Sequence, residues 1–128
     1  AKVIDNIQIC APRVAQHALT PMLASMTSWR QENRERIAAR AAVFRTAIDD
    51  LPGWDLLSNG AYFGYIRHPF TGVGSRQVAE TMARKAGVLV IPGAFFGAGQ
   101  DGALRFAFAN AGRDVIANLA SRLLPLTL

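Results

Sequence analysis

One arginine stands out among the residues that could do chemistry, because its neighbours on one face of a predicted strand are small. The stretch ALRFAFAN, residues 103–110, alternates large apolar residues with small ones, and a period of two is typical of a β-strand. Leu104, Phe106 and Phe108 form the predicted core face, and Arg105 lies on the face of the alanines. A planar guanidinium with room beside it suits bidentate capture of a carboxylate. The alternative is an ordinary surface arginine on an edge strand.

A glycine-rich segment, PGAFFGAGQDG at residues 92–102, comes directly before that strand. Its glycines are compatible with a loop that cradles a phosphate. The segment lacks the Gly-Lys-Ser/Thr ending of a P-loop and the GxGxxG spacing, so a turn-rich connection is the favoured interpretation. Because this loop adjoins the strand of Arg105, the two together predict an anion-binding site on a rigid scaffold.

The remaining reactive residue types give no comparable pattern. His17 and His68 are the two histidines, and no carboxylate stands at ligand spacing to either, so we predict ordinary polar surface or hinge residues and no metal site. Cys10 lies in an apolar context and is predicted to be a buried structural thiol. Lys85 lies near the end of a predicted amphipathic helix, where solvation or a favourable interaction with the helix dipole is expected.

The composition favours one folded domain with a real core. The chain has 128 residues, of which 51% are hydrophobic and 18% charged. Its single cysteine excludes an internal disulfide and fits a reducing, cytoplasmic compartment. The net charge of +5 is carried almost wholly by arginine, and a solvated basic helix surface is favoured over a nucleic-acid site. The sequence contains no apolar run of about 18 residues or more, so no membrane-spanning helix is predicted.

Hydrophobic periodicity and turn residues predict the elements that position these side chains. The predicted helices cover residues 13–26 (kinked or ended near Pro21), 28–51, 75–86 and 113–124, and the predicted strands cover residues 54–58, 61–68, 88–91 and 103–110. Asn59-Gly60 favours a hairpin turn, Ser75 is predicted to cap its helix, and Gly87 to end it. The order predicts an α+β fold, a small antiparallel or mixed sheet with helices packed on one face.

Four segments together resemble one family, the class I/II aminotransferases, which are fold-type I pyridoxal-phosphate enzymes. The most specific of them is IPGAFFGAGQDGALRFAFAN, with its Pro-Gly-loop-Leu-Arg-Phe pattern, and it is similar to the closing segment of that family. NGAYFGY resembles the aromatic strand of the family's small domain. QICAPRVAQHAL and the helix RQENRERIAARAAVFRTAID are similar to the stretches that lead into that domain.

The resemblance implies a C-terminal portion of such an enzyme. Residues 1–26 would lead out of a large domain that is missing here, and residues 27–128 would form the small domain. The complete enzyme would be a cytoplasmic homodimer that transfers an amino group between an amino acid and a 2-oxo acid, with pyridoxal 5'-phosphate as cofactor. Arg105 matches the arginine that binds the substrate α-carboxylate, and Tyr62 is expected to line the same site.

The resemblance also shows what this chain lacks. Neither Lys2 nor Lys85 stands in the Ser-rich motif of the family's Schiff-base lysine, and the phosphate-binding segment is absent. We therefore expect no catalytic residue in these 128 residues and no transamination by the chain alone. Three alternatives stay open: another fold-type I enzyme, an aminotransferase-like domain of a regulator, and a free-standing basic binding module.

Overall fold

The computed structural model describes residues 12–128, and the chain divides into two compact units with a boundary between Arg34 and Glu35. In the first unit, helix α1 (Arg13–Met22) ends one residue after Pro21, as the proline predicts. Helix α2 (Thr27–Asp49) begins in this unit. Within the described range, no helix combines the length and the apolar character that crossing a bilayer requires.

The second unit is built on a four-stranded antiparallel sheet. Its strands are β1 (Asp55–Gly60), β2 (Phe63–Arg67), β3 (Ile91–Pro92) and β4 (Ala103–Phe106), in the order β1-β2-β4-β3. Three short helices accompany it, α3 (Ser75–Thr81), α4 (Arg113–Ala117) and α5 (Leu119–Leu123). The predicted α+β class is confirmed, and the sheet is purely antiparallel.

The hydrophobic core lies against one face of this sheet. Strand register places Ile66 opposite Leu104 and Gly64 opposite Phe106, so these four residues share a face. The predicted core residues Leu104, Phe106 and Phe108 are all buried. They join one cluster with apolar residues of the helices, among them Phe44, Ile48, Val78, Met82, Ile116, Leu119 and Leu123. Helix α3 continues as a π-helical turn over Met82–Ala86 and ends at Gly87, as predicted.

The first hairpin differs from the prediction. Asn59 and Gly60 lie in β1, opposite Gly64 and Phe63, and the turn is made by the next two residues. The register of β1 against β2 shifts between Leu56 and Ser58, and β1 runs on to Gly60, beyond its predicted end. The side chain of Asn59 donates to the carbonyl of Ala41 at 3.1 Å, so it links β1 to helix α2 instead of forming the hairpin turn.

Other elements are shorter than predicted. Strand β4 ends at Phe106, and a 3-10 turn follows over Phe108–Asn110. The predicted helix 113–124 is interrupted at Asn118, whose ψ of 4° is not helical. Arg40 of α2 is half-buried and donates to the carbonyl of Ala109. This hydrogen bond satisfies a carbonyl that the shortened strand leaves outside the sheet.

Gly64 is a position where helix α2 packs closely against the sheet. A Cβ atom on Gly64 would overlap the ring of Phe44. That ring is buried and packs against Phe106 at 5.6 Å and Phe108 at 5.3 Å between centroids, so it has no space to move away. The absence of a side chain at Gly64 is therefore what allows α2 to cover the sheet.

We predict that Gly64→Ala lowers the free energy of unfolding by about 1–3 kcal/mol, because it overpacks the core at Phe44. Urea unfolding of the complete protein measures the change. Gly60→Ala is the matched control, since nothing lies within 4 Å of a Cβ at that position and its φ is not positive. Equal stability of the two variants would contradict the packing described for Gly64.

Candidate functional site

Arg105 lies on the sheet face opposite the core. Its partners across the neighbouring strands are Tyr65 on β2 and Ile91 on β3, so β4 is an interior strand and the edge-strand alternative is wrong. An interior strand is hydrogen-bonded on both sides, and its backbone is held more firmly than that of an edge. The hydrogen bonds that hold β4 in the sheet therefore fix the Cα of Arg105. The same hydrogen bonds hold Leu104 and Phe106, whose side chains lie in the core.

The guanidinium of Arg105 lies over two aromatic rings. Its Cζ is 4.4 Å from the centroid of Phe63 and 4.7 Å from that of Phe96. Among residues 12–128 it donates no hydrogen bond and joins no ion pair, although the residue is half-buried. A guanidinium carries five N–H donors. These donors are therefore available to an anion that approaches the outer face of the sheet.

Phe96 reaches Arg105 from the glycine-rich segment. It ends a 3-10 turn, Gly93–Phe96, that follows β3 directly. The ring of Tyr65 meets the Phe96 ring edge-on at 6.2 Å, and the Tyr65 hydroxyl donates to Oε1 of Gln100 at 2.8 Å. The segment predicted as a turn-rich connection is thus tied to the strand face at two points.

Two polar residues, Ser75 and Asp101, tie the glycine-rich segment to the start of α3. Oδ1 of Asp101 accepts hydrogen bonds from both the backbone N–H and the hydroxyl of Ser75, each at 2.9 Å. The Ser75 hydroxyl in turn accepts the N–H of Ala94 at 3.1 Å. Ser75 was predicted to cap α3, but it is the first helical residue, makes no capping bond and is fully buried. Its hydroxyl instead bonds to the glycine-rich segment, donating to Asp101 and accepting from Ala94.

Gly93 makes this arrangement sterically possible. A Cβ atom there would collide with the carbonyl oxygens of Gln100 and Ala103 and approach the Tyr65 hydroxyl to 2.9 Å. The start of the 3-10 turn therefore packs against the end of its own loop, and only a residue without a side chain permits this contact.

Tyr62, the second predicted site residue, lies in the turn between β1 and β2 and not on a strand. Its side chain is 56% exposed, and its ring meets that of Phe63 edge-on at 6.5 Å. The carbonyl of Tyr62 accepts the N–H of Ala109 at 3.4 Å, which ties the turn to the chain just after β4. Tyr62 therefore adjoins the Arg105 cluster through Phe63.

The two histidines have different environments. His17 is exposed on α1, as predicted, whereas His68 is buried, so its surface assignment is wrong. The His68 backbone N–H donates to the Gly102 carbonyl, so the chain just after β2 is bonded to the end of the glycine-rich segment. Within the described range, no three potential metal ligands come together. Cys10 and Lys2 lie outside the described residues.

Phe63 and Phe96 were missed as site residues by the sequence analysis. Period-two alternation along β2 carries the signal for Phe63, because it stands two residues from Tyr65 and hence on the face of Arg105. Phe96 had no such signal. Its ring reaches Arg105 only through the fold of the glycine-rich segment, which local sequence patterns do not specify.

Comparison with known proteins gives a consistent family. The family model described as "Aminotransferase class I and II" matches residues 2–123. The chain is 27% identical over 104 residues to an aromatic-amino-acid aminotransferase of Thermococcus litoralis and equally to an aspartate aminotransferase of Pyrococcus abyssi. Each match covers 80% of this chain and 27% of the relative, so the chain spans about a quarter of those proteins.

Solved structures share the fold. An aromatic aminotransferase from Pyrococcus horikoshii matches with a TM-score of 0.66 and 25% identity over 76% of this chain and 26% of its own. A methionine aminotransferase from Escherichia coli matches with a TM-score of 0.72 and 20% identity over 98% of this chain and 34% of its own. An archaeal alanine:glyoxylate aminotransferase gives a TM-score of 0.73 at 20% identity, over 93% and 31% of the two chains.

We predict that Ser75→Ala loosens the glycine-rich loop, because it removes the hydroxyl that joins Asp101 to Ala94. Loss of these buried hydrogen bonds costs about 1–3 kcal/mol of unfolding free energy, and amide hydrogen exchange at Ala94 becomes faster. Ser58→Ala, at an exposed position of β1, is the control. Unchanged exchange at Ala94 in Ser75→Ala would show that the loop is held by other contacts.

Proposed function

The chain belongs to the class I and II aminotransferases, and we propose from this premise that Arg105 binds the α-carboxylate of an amino-acid substrate in the complete protein. The observation that carries the proposal is a half-buried arginine whose N–H donors have no acceptor among the described residues. A carboxylate supplies two acceptors in the planar spacing of a guanidinium, so it can pair with the donors that the fold leaves unused. Family membership favours this interpretation over a free-standing basic binding module.

The rigidity of the setting supports a positioning role. Arg105 stands on an interior strand, and residues on both sides of it enter the core, so its backbone cannot shift without disturbing the sheet. A carboxylate held at two points by such an arginine is fixed in rotation as well as in place. Fixing the substrate in this way orients the bonds at its α-carbon toward the reacting groups, and orientation lowers the barrier of the chemical step.

The described residues do not fit a pyridoxal-phosphate anchor. Lys85 is the lysine within residues 12–128, and its Nζ donates to the carbonyl of Thr127 at 3.0 Å. We infer that the cofactor, which the family implies, is held by residues outside this chain. The part of the reaction assigned to these residues is therefore substrate binding and orientation.

The proposal includes the arrangement of the complete protein. We infer that residues 1–26 lead out of a large domain and that residues 27–128 are the small domain, with amino acids and 2-oxo acids as substrates. The match to about a quarter of each relative's length supports the inference that such a domain is one part of a larger protein. Tyr62 is proposed as a lining residue of the same site, because its ring adjoins Phe63 beside Arg105.

We predict that Arg105→Lys in the complete protein keeps the fold, raises KM for the amino-acid substrate and lowers kcat/KM by about 10- to 100-fold. Lysine retains the charge but loses the planar pair of donors, so the carboxylate is bound less tightly and in a less defined orientation. Steady-state kinetics over a range of substrate concentrations measure the effect.

Arg67→Lys is the matched control for this experiment. Arg67 follows on β2 two residues after Tyr65, and its Nη1 bonds to Oδ2 of Asp55 at 3.3 Å, so its donors already have a partner. The control variant keeps wild-type kcat/KM. An unchanged kcat/KM in Arg105→Lys would remove the assignment of Arg105.

A further inference from the structure

We propose that Phe63 and Phe96 are positioning residues that hold the Arg105 guanidinium in the orientation in which it receives the carboxylate. The inference rests on the proposed function, since it concerns the same guanidinium. Both rings lie within 5 Å of the Arg105 Cζ, at 4.4 Å and 4.7 Å from centroid to carbon. Distances of this size are well inside the range of a cation–π interaction.

An arginine that binds a carboxylate must be held in one orientation while its N–H donors stay available, and two aromatic rings meet both requirements. An arginine has a long flexible stem, and without partners its guanidinium samples several rotamers. A carboxylate neighbour such as Asp or Glu would hold it, but that neighbour would occupy the donors that the substrate needs. A ring face attracts the cation without accepting its N–H groups in strong hydrogen bonds. The rings therefore fix the orientation and leave the donors free.

The two rings reach Arg105 from different parts of the fold. Phe63 begins β2 and is paired with Gly60 of β1, so the hairpin determines its position. Phe96 ends the 3-10 turn of the glycine-rich segment and is supported edge-on by Tyr65. The guanidinium is thus oriented only when the hairpin and the loop are both in place.

The neighbouring Phe95 provides an internal comparison. It belongs to the same turn as Phe96 and is 60% exposed, but its ring lies under Arg76, at 5.1 Å from the Arg76 Cζ. A change at Phe95 removes an aromatic ring of equal size from the same segment without touching Arg105. It therefore separates the specific contact from a general effect on the loop.

Kinetics of the complete protein test the proposal. Phe63→Leu and Phe96→Leu keep apolar volume but remove the ring face, and each is expected to raise KM for the amino acid by about 2- to 30-fold, with a smaller change in kcat. Phe63→Tyr and Phe96→Tyr retain the ring face and are expected to have wild-type KM. Phe95→Leu has wild-type KM. Thermal unfolding of every variant verifies that the comparison is made between folded proteins.

Three results would overturn the positioning role. The first is a wild-type KM in both leucine variants while Arg105→Lys lowers kcat/KM, which leaves the proposed function standing. The second is an equal effect of leucine and tyrosine at either position, since packing alone would then explain it. The third is an undiminished effect of Phe96→Leu in an Arg105→Ala background, because the ring would then act on the substrate directly. Unchanged kinetics in Arg105→Lys would instead remove the function on which the inference rests.

Discussion

The pairing of β2 with β4 is the constraint on which the rest of the candidate site depends. This register sets Ile66 beside Leu104 on the core face and Tyr65 beside Arg105 on the other face. Because side chains alternate along a strand, a slip of one residue would carry Arg105 into the core and Leu104 into solvent. The burial of Leu104 and Phe106 thus also specifies which way Arg105 points. Core packing and the placement of the guanidinium have the same physical origin.

The glycine-rich segment adds the second half of this arrangement. Gly93 allows the 3-10 turn to pack against the carbonyls that close the loop. Ser75 and Asp101 bind the segment to the start of α3, and Phe96 then meets the guanidinium. The loop is thus held by a few specific hydrogen bonds and ring contacts, and the loss of any one of them is expected to loosen it.

Sequence patterns were informative where a period or a strong local signal exists. The alternation of ALRFAF identified the core face and placed the Arg105 guanidinium on the opposite face. The α+β class followed from the order of the elements. The alternation also indicated strand through Phe108, but the sheet pairs β4 only as far as Phe106, and the buried Phe108 keeps its core contacts from a 3-10 turn.

The misjudged features depend on tertiary contacts that no local pattern contains. The hairpin turn lies past Asn59-Gly60, and both of these residues pair with β2. The backbone N–H of His68 is bonded to the end of the loop after β3, and the Ser75 hydroxyl donates to Asp101 across 26 residues of sequence. Phe96 becomes a neighbour of Arg105 through the fold of the same loop. For His68 and Ser75 the deciding partner is distant in the chain, so propensity and periodicity could not identify it.

A crystal structure of the complete protein with a bound 2-oxo acid or an amino-acid analogue would test the role of Arg105 most directly. We expect that the two oxygens of the α-carboxylate each accept an N–H of Arg105, at about 2.7–2.9 Å, with the guanidinium still over Phe63 and Phe96. A carboxylate bound by other residues, with the N–H groups of Arg105 turned away from it, would contradict the account.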